Sequence, residues 1–349
     1  LDQSPAIVKA NTPEATIRAI LDPGKGILAA DESLPTIDKR FKSLGIANTE
    51  ENRRAYREML FTSHGLGESI SGVILFDETI RQKTSRGALM PELLAAQGIV
   101  PGIKVDEGAV ALPAFAGEKM TLGLDQLRGR LAEYSKLGAL FTKWRAVIAI
   151  GDSMPTGACI EANANSLALF AALSQEAGMV PIVEPEVLMD GDHTIARCEE
   201  VMGATLEAVF DSLSLHRVVL EKMLLKSGMV LSGEDCPEQA GVPEVADATL
   251  RCFRRFVPAA VPGIVFLSGG QSEAEATQRL NAICAVKAPP WKLTFSFGRA
   301  LQDPAMKAWG GSPGNVPAAQ DALAQRARLN GLAVQGSYSE RLEKTGSAA

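Results

Sequence analysis

The 349 residues carry 46% hydrophobic and 22% charged side chains, with 35 Lys plus Arg against 41 Asp plus Glu for a formal net charge of −6. That balance suits a globular chain with a sizeable core and excludes a disordered one, and charges scattered along the chain argue against a nucleic-acid or anionic-membrane surface. No apolar run reaches the roughly 18 residues of a membrane helix and no secretory signal layout is present, so the expected compartment is the cytoplasm, although a removed organelle-targeting peptide would leave no trace.

Taken in chain order, a helix is expected around 12–21, followed by eight short apolar runs that read as strands. They are GILAAD (26–31), SGVILF (71–76), VPGIKV (100–105), ALFTKWRAVI (139–148), MVPIVEPE (179–186), MLLKSGMV (223–230), GIVFLSG (263–269) and KLTFSF (292–297). Helical stripes lie between them, one on Leu124, Leu127, Leu131 and Tyr134, another on Cys198, Met202, Leu206, Val209 and Leu213. Asn48 with Glu51 and Ser272 with Glu275 have the spacing of a capping box at a helix start.

Strand followed by helix eight times, with no Gly-x-Gly-x-x-Gly after the first strand, predicts an α/β fold, a single (β/α)8 barrel rather than a doubly wound nucleotide fold. No linker divides the chain: residues 22–335 are read as barrel and 336–349 as a mobile C-terminal tail. Cys159, Cys198, Cys236, Cys252 and Cys284 are odd in number and never spaced C-x-x-C, which fits reduced thiols. His64, His193 and His216 form no ligand-like pair, so no metal is expected, and each is read as a surface or helix residue.

The informative oddity is charge inside apolar runs. Asp31, Lys104, Lys143, Arg145, Glu184, Glu186 and Lys226 fall within or at the C-terminal ends of strand candidates. Alternation along a strand puts Asp31 with Ser33, Lys143 with Arg145, and Glu184 with Glu186 on shared faces. In a barrel, that end of the strands is where active sites are built. One such residue is as well explained by an ion pair at the barrel mouth; seven converging ones point to chemistry, because burying charges is costly unless they are paired or used.

A lysine nucleophile must first lose its proton, and both desolvation and a neighbouring cation favour the neutral amine. Lys143 is the expected neighbouring cation for Lys226. A free amine condenses with a ketone to an iminium, which withdraws electrons from the adjacent carbon–carbon bond, while nearby carboxylates move the protons. The set suits an aldol reaction. LSGGQ (267–271) followed by FSFGR (295–299) adds backbone N–H groups and the Arg299 fork, a pattern suited to phosphate in the loops after strands seven and eight.

At these residues the sequence resembles class I fructose-bisphosphate aldolase from about residue 10 to 335, through GILAADES, ISGVILFDET, PGIKVD, FTKWR, IVEPE, LLKSGMV, FLSGGQ and FSFGRALQ. The resemblance implies reversible, metal-free and cofactor-free cleavage of fructose 1,6-bisphosphate to dihydroxyacetone phosphate and glyceraldehyde 3-phosphate, by a protein that is typically a homotetramer. It implies Lys226 as the Schiff-base lysine, Glu184 as the acid/base for carbinolamine formation and dehydration, and Asp31 as the group assisting carbon–carbon cleavage. Lys143 is implied to stabilise charge, with Glu186 as its hydrogen-bonding support. Ser268, Gly269, Gly270, Ser296, Gly298 and Arg299 match the site of the ketone-end phosphate, and Lys104, Arg145, Ser33, Thr36 and Lys39 the other phosphate and the sugar hydroxyls.

The chain departs from animal members of the family in three places. LPTID follows DES in place of a glycine-containing turn, Ser227-Gly228 stands where Pro-Asn is common, and Ala349 stands where they end in tyrosine. Tyr338 is the nearest tyrosine, and the group that protonates the enamine is unassigned. Other readings are a Schiff-base barrel acting on a 2-keto-3-deoxy or deoxyribose phosphate, which does not usually need two phosphate sites, and a retired barrel used as a scaffold, which would be expected to have lost its nucleophile.

Overall fold

The computed structural model describes residues 12–286 and 289–344. Eight parallel strands close into a barrel: β1 Gly26–Ala30, β2 Ile70–Leu75, β3 Val100–Lys104, β4 Phe141–Ile148, β5 Val180–Val187, β6 Leu224–Ser227, β7 Gly263–Phe266 and β8 Lys292–Phe297. Each strand pairs with its sequence neighbours, and β8 closes on β1 through Ile27 opposite Ser296. This is the expected (β/α)8 barrel. The sixth and seventh strands are shorter than the apolar runs that predict them. Past Ser227 the chain leaves the sheet, and the Val230 N–H donates to the Thr249 hydroxyl at 2.9 Å instead of to a neighbouring strand.

Alternation along the strands explains why apolar and charged residues coexist in one run. Ile27, Ala29, Phe141, Val180, Ile182, Leu224 and Val265 form one cluster, shared with Ile17 and Ile20 of α1 (Pro13–Ile20). These residues fill the barrel interior, and α1 packs its apolar stripe against that filling. Two positions further along the same faces come Asp31 after Ala29, Lys143 after Phe141, Glu184 after Ile182 and Lys226 after Leu224. The interior is therefore apolar at one end and ionic at the other. Gly102 is needed for the filling: a Cβ there would lie 2.2 Å from the Phe141 ring.

Outside the strands, a larger cluster joins the other faces to the helices. The surrounding helices include α2 Leu34–Ser43, α3 Glu50–Phe61, α4 Leu127–Lys136, α5 Gly157–Glu176, α6 Ile195–Leu215, α7 Val242–Phe256, α8 Glu273–Cys284, α9 Arg299–Trp309 and α10 Val316–Val334. The predicted stripe on α6 is buried throughout, whereas on α4 the helix begins at Leu127 and Leu124 precedes it. Ser272 and Glu275 form the expected capping box of α8. The Asn48 box is off by one: Thr49 caps α3, its hydroxyl accepting from the Asn52 N–H at 3.1 Å, while Asn48 bridges Arg53 and Asp38. The LPTID segment is the first turn of α2, with Ser33 at its N-cap and Pro35 in the first turn, where its missing N–H costs nothing.

A short hairpin, Ala109–Ala111 with Lys119–Thr121, lies between β3 and β4, its first strand exposed and its second buried only at Thr121, and has no apolar alternation that would announce it. Of the residues assigned to the tail, 336–344 include Tyr338, whose N–H donates to Asn281 Oδ1 at 2.9 Å and whose hydroxyl donates to Glu343 Oε1 at 2.8 Å. Residues 345–349 lie outside the described residues. Among the described residues no helix is long and apolar enough to cross a membrane.

Candidate active site

At the C-terminal ends of the strands the charged residues meet. Lys226 Nζ lies 3.0 Å from Glu184 Oε1, and Lys143 Nζ lies 3.3 Å from Glu184 Oε2 and 2.7 Å from Asp31 Oδ2. All four side chains are buried or nearly so. The register places them: Lys143 sits opposite Ile182 on β5, one pleat from Glu184, and Lys226 follows Leu225, which pairs with Val183.

Electrostatics fixes the charge of two of them, Asp31 and Lys143. Burial alone would raise the Asp31 pKa, but Lys143, Lys226 and Lys104 outweigh it and leave the carboxyl lowered to about 2. Burial works in the opposite sense on Lys143, favouring the neutral amine, yet Asp31, Glu184 and Asp106 overcome it and hold the ammonium well above the usual lysine range. Lys143 is thus the expected cation in the cluster, and it shares a carboxylate with Lys226. Glu184 Oε2 is buried and has no aligned hydrogen bond among the described residues, its company being the Lys143 ammonium at 3.3 Å.

Lys104 Nζ pairs with Asp106 Oδ1 at 2.6 Å, and Asp106 Oδ2 lies 3.9 Å from Lys143 Nζ while accepting from the Arg145 N–H at 3.2 Å. Asp106 was not singled out from the sequence, although Lys104 and Asp106 share the i, i+2 spacing that marks the other pairs. Glu32 was also missed. It is held by Arg40, Arg57 and Gln302, and so joins α2, α3 and α9 beneath Asp31. Burial raises its pKa less than the two guanidinium groups lower it.

Glu186 does not contact Lys143 in the ion-pair network; it accepts a hydrogen bond from Arg145 Nε. Burial works against the Arg145 charge, and Glu186 more than restores it. Arg145 and Glu186 line a cavity of about 270 Å³ at the barrel mouth together with Gly269, Gly270 and Arg299. There Gly269 has φ +57°, a left-handed conformation that suits glycine. Its carbonyl accepts from the Arg299 guanidinium, and the Gly270 N–H donates to Met189 Sδ at 3.2 Å. Ser268 is buried in the same loop, Gly298 is the N-cap of α9, and the buried Ser296 hydroxyl has no partner among the described residues.

Of the α2 residues, Ser33 Oγ lies 3.1 Å from Thr36 Oγ1, and Thr36 and Lys39 are exposed. Tyr338 bonds to Glu343, and burial together with that carboxylate raises its pKa. His193 differs from the sequence expectation. It is buried on the loop before α6, with neither ring nitrogen partnered among the described residues, and burial lowers its pKa.

A closed parallel barrel whose mouth joins a buried amine to carboxylates on either side, beside a glycine loop and an arginine, defines a barrel lyase of the lysine-dependent aldol class. The family model described as fructose-bisphosphate aldolase class-I matches residues 14–349. A probable fructose-bisphosphate aldolase class 1 from Xanthomonas campestris pv. campestris is 55% identical over 324 residues, 93% of this chain and 97% of its own. Cytosolic fructose-bisphosphate aldolase 5 of Arabidopsis thaliana is 53% identical over 325 residues, 93% and 90% of the two chains. The fructose-bisphosphate aldolase of Plasmodium falciparum, solved in complex with TRAP and a small-molecule inhibitor, superposes with a TM-score of 0.93 at 47% identity, covering 97% of this chain and 98% of that one. The chain belongs to the class I fructose-bisphosphate aldolase family, the metal-independent Schiff-base lyases.

Proposed function

We propose that Lys226 is the Schiff-base nucleophile for the ketose, that Glu184 carries its protons and that Asp31 starts the carbon–carbon cleavage. The observation that carries this reading is the single carboxylate of Glu184 held between Lys226 and Lys143. Lys226 passes one proton to Glu184 at 3.0 Å, its free amine adds to C2 of fructose 1,6-bisphosphate, and a proton shift from nitrogen to oxygen gives the carbinolamine. Glu184 then delivers a proton to the carbinolamine hydroxyl, water leaves, and an iminium forms. Asp31, an anion throughout the working pH range, accepts the C4 hydroxyl proton as the C3–C4 bond breaks. The bonding electrons move into the iminium as an enamine, and glyceraldehyde 3-phosphate departs. Protonation and hydrolysis of the enamine release dihydroxyacetone phosphate and restore the amine. Lys143 supplies fixed positive charge to the oxygens of the intermediates, while Glu186 keeps Arg145 ordered at the rim.

On this reading Ser268, Gly269, Gly270, Ser296, Gly298 and Arg299 hold the ketone-end phosphate, and Lys104, Arg145, Ser33, Thr36 and Lys39 serve the far phosphate and the hydroxyls. The assembly is proposed to be a homotetramer in the cytoplasm, a location supported by the cytosolic relative. Incubation with dihydroxyacetone phosphate, reduction with borohydride and peptide mapping test the mechanism. A glyceryl adduct on Lys226 is the expected product; an adduct on another lysine, or none, sinks the assignment.

A further inference from the structure

Behind the Ser268–Gly270 loop lies a second cavity of about 250 Å³, walled in part by Leu231, Ser232, Gln239, Val245 and Arg279. Met189 and Gly270 line both this cavity and the mouth, so the two spaces share a wall. Two of the polar wall residues are satisfied within the chain. Ser232 Oγ donates to the Glu238 carbonyl and accepts from the Ala240 N–H, and Gln239 Nε2 donates to the Gly233 and Cys236 carbonyls.

Arg279 is different. It is only 9% exposed, yet its Nε–H has no partner among the described residues. Its Nη1 donates to the neutral Gln271 Oε1 at 3.0 Å, and its nearest counter-charge, Glu275 Oε1, is 3.7 Å from Nη2. Glu275 is half-exposed and committed to Ser272 through the helix cap. Burial accordingly lowers the Arg279 pKa more than Glu275 restores it. A guanidinium removed from water without full pairing is costly, and an under-paired guanidinium among the residues that line a cavity fits the oxygens of an anion.

We propose that this cavity is a binding site for a small oxyanion, inorganic phosphate or a compact phosphate monoester, held on Arg279 on the far side of the wall that it shares with the mouth. Glu275 and Glu234 also line it, so an occupant that carries a proton or hydroxyl to donate fits better than one without. Gln271 links the cavity to the loop, accepting from Arg279 and donating through Nε2 to the Ser268 carbonyl at 3.0 Å. An anion that draws Arg279 away from Gln271 therefore changes what steadies Ser268. That consequence, though not the binding itself, rests on reading the loop as the site of the substrate phosphate.

Equilibrium dialysis of the whole enzyme against radiolabelled inorganic phosphate tests the proposal, comparing wild type with Arg279→Gln before and after borohydride reduction over dihydroxyacetone phosphate. The variant is expected to bind one phosphate fewer per chain in both forms while retaining its kcat for cleavage. Ala240→Phe, which fills the cavity and leaves the guanidinium in place, is expected to show the same loss and covers the case in which Arg279→Gln does not fold. Equal stoichiometry in wild type and a folded variant overturns the proposal. Failure of borohydride to fix the ketose counts against the Lys226 mechanism and leaves the unreduced comparison to decide the Arg279 site.

Discussion

Lys226 and Lys143 hold the two oxygens of one carboxylate: Glu184 Oε1 is 3.0 Å from the first and Oε2 3.3 Å from the second. This spacing puts Glu184 against the Lys226 nitrogen while the Lys143 cation sits on its other side. A glutamine in its place keeps the shape and removes the group that could carry a proton. Glu184→Gln is expected to lower kcat by about 10²–10⁴-fold, the usual worth of a positioned acid/base, and to slow borohydride-trappable adduct formation in parallel. A variant within threefold of wild type in both measurements would remove Glu184 from the proton path.

Asp31 is lowered to about 2 by Lys143, Lys226 and Lys104 acting against burial. Its folded pKa lies below its unfolded one, so the stability it contributes is fully present above the unfolded value near 3.8 and is lost as pH falls toward the folded value. The shift corresponds to on the order of 2 kcal/mol. Denaturant unfolding of wild type and Asp31→Asn should therefore show a stability gap that is constant from pH 7 to about 5 and narrows below about 4. A gap unchanged down to pH 3 contradicts the depressed carboxyl.

Asp106 pairs with Lys104, lies near Lys143 and accepts from the Arg145 backbone, so it braces three basic residues at once. Removing one partner of a buried ion pair leaves the other uncompensated, at a cost of about 3–5 kcal/mol. Asp106→Ala should lose that much stability in urea unfolding. Asp106→Asn, which keeps the amide contacts and loses the charge, should raise KM for fructose 1,6-bisphosphate with a smaller change in kcat. Equal stability of Asp106→Ala and wild type would show that Lys104 and Lys143 do not depend on it.

What could be read from the chain follows from what repeats along it. Alternation within GILAAD, FTKWR, IVEPE and LLKS already separates an apolar filling from an ionic mouth, because residues two apart share a face and the barrel orders all strands alike. Partner choice is not periodic. That Glu186 turns to Arg145, or that Glu32 gathers Arg40, Arg57 and Gln302 from three helices, depends on contacts as many as 270 residues apart. The cap of α3 moved from Asn48 to Thr49 because adjacent residues both suit a cap and Asn48 is drawn off by Arg53 and Asp38. His193 looked superficial because nothing local announces that its loop folds under Gly233, whose N–H donates to the His193 carbonyl at 2.7 Å.

Arg299 sits where two loops converge, its guanidinium donating to the Gly269 carbonyl while the Gly270 N–H rests on Met189 Sδ. Both contacts are weak claims on strong donors: a carbonyl is a poorer partner for a guanidinium than a phosphate, and a thioether is a poor acceptor. A dianion entering the loop should take over both. A planar fork makes two parallel bonds to a phosphate where an ammonium acts as a point charge, so Arg299→Lys keeps the sign and loses the geometry. It is expected to raise KM by about tenfold, the equivalent of roughly 1.4 kcal/mol, and Arg299→Ala by more. The effect should shrink for a ketose lacking the phosphate at its ketone end, and a loss of the same size with that substrate would place Arg299 elsewhere in the reaction.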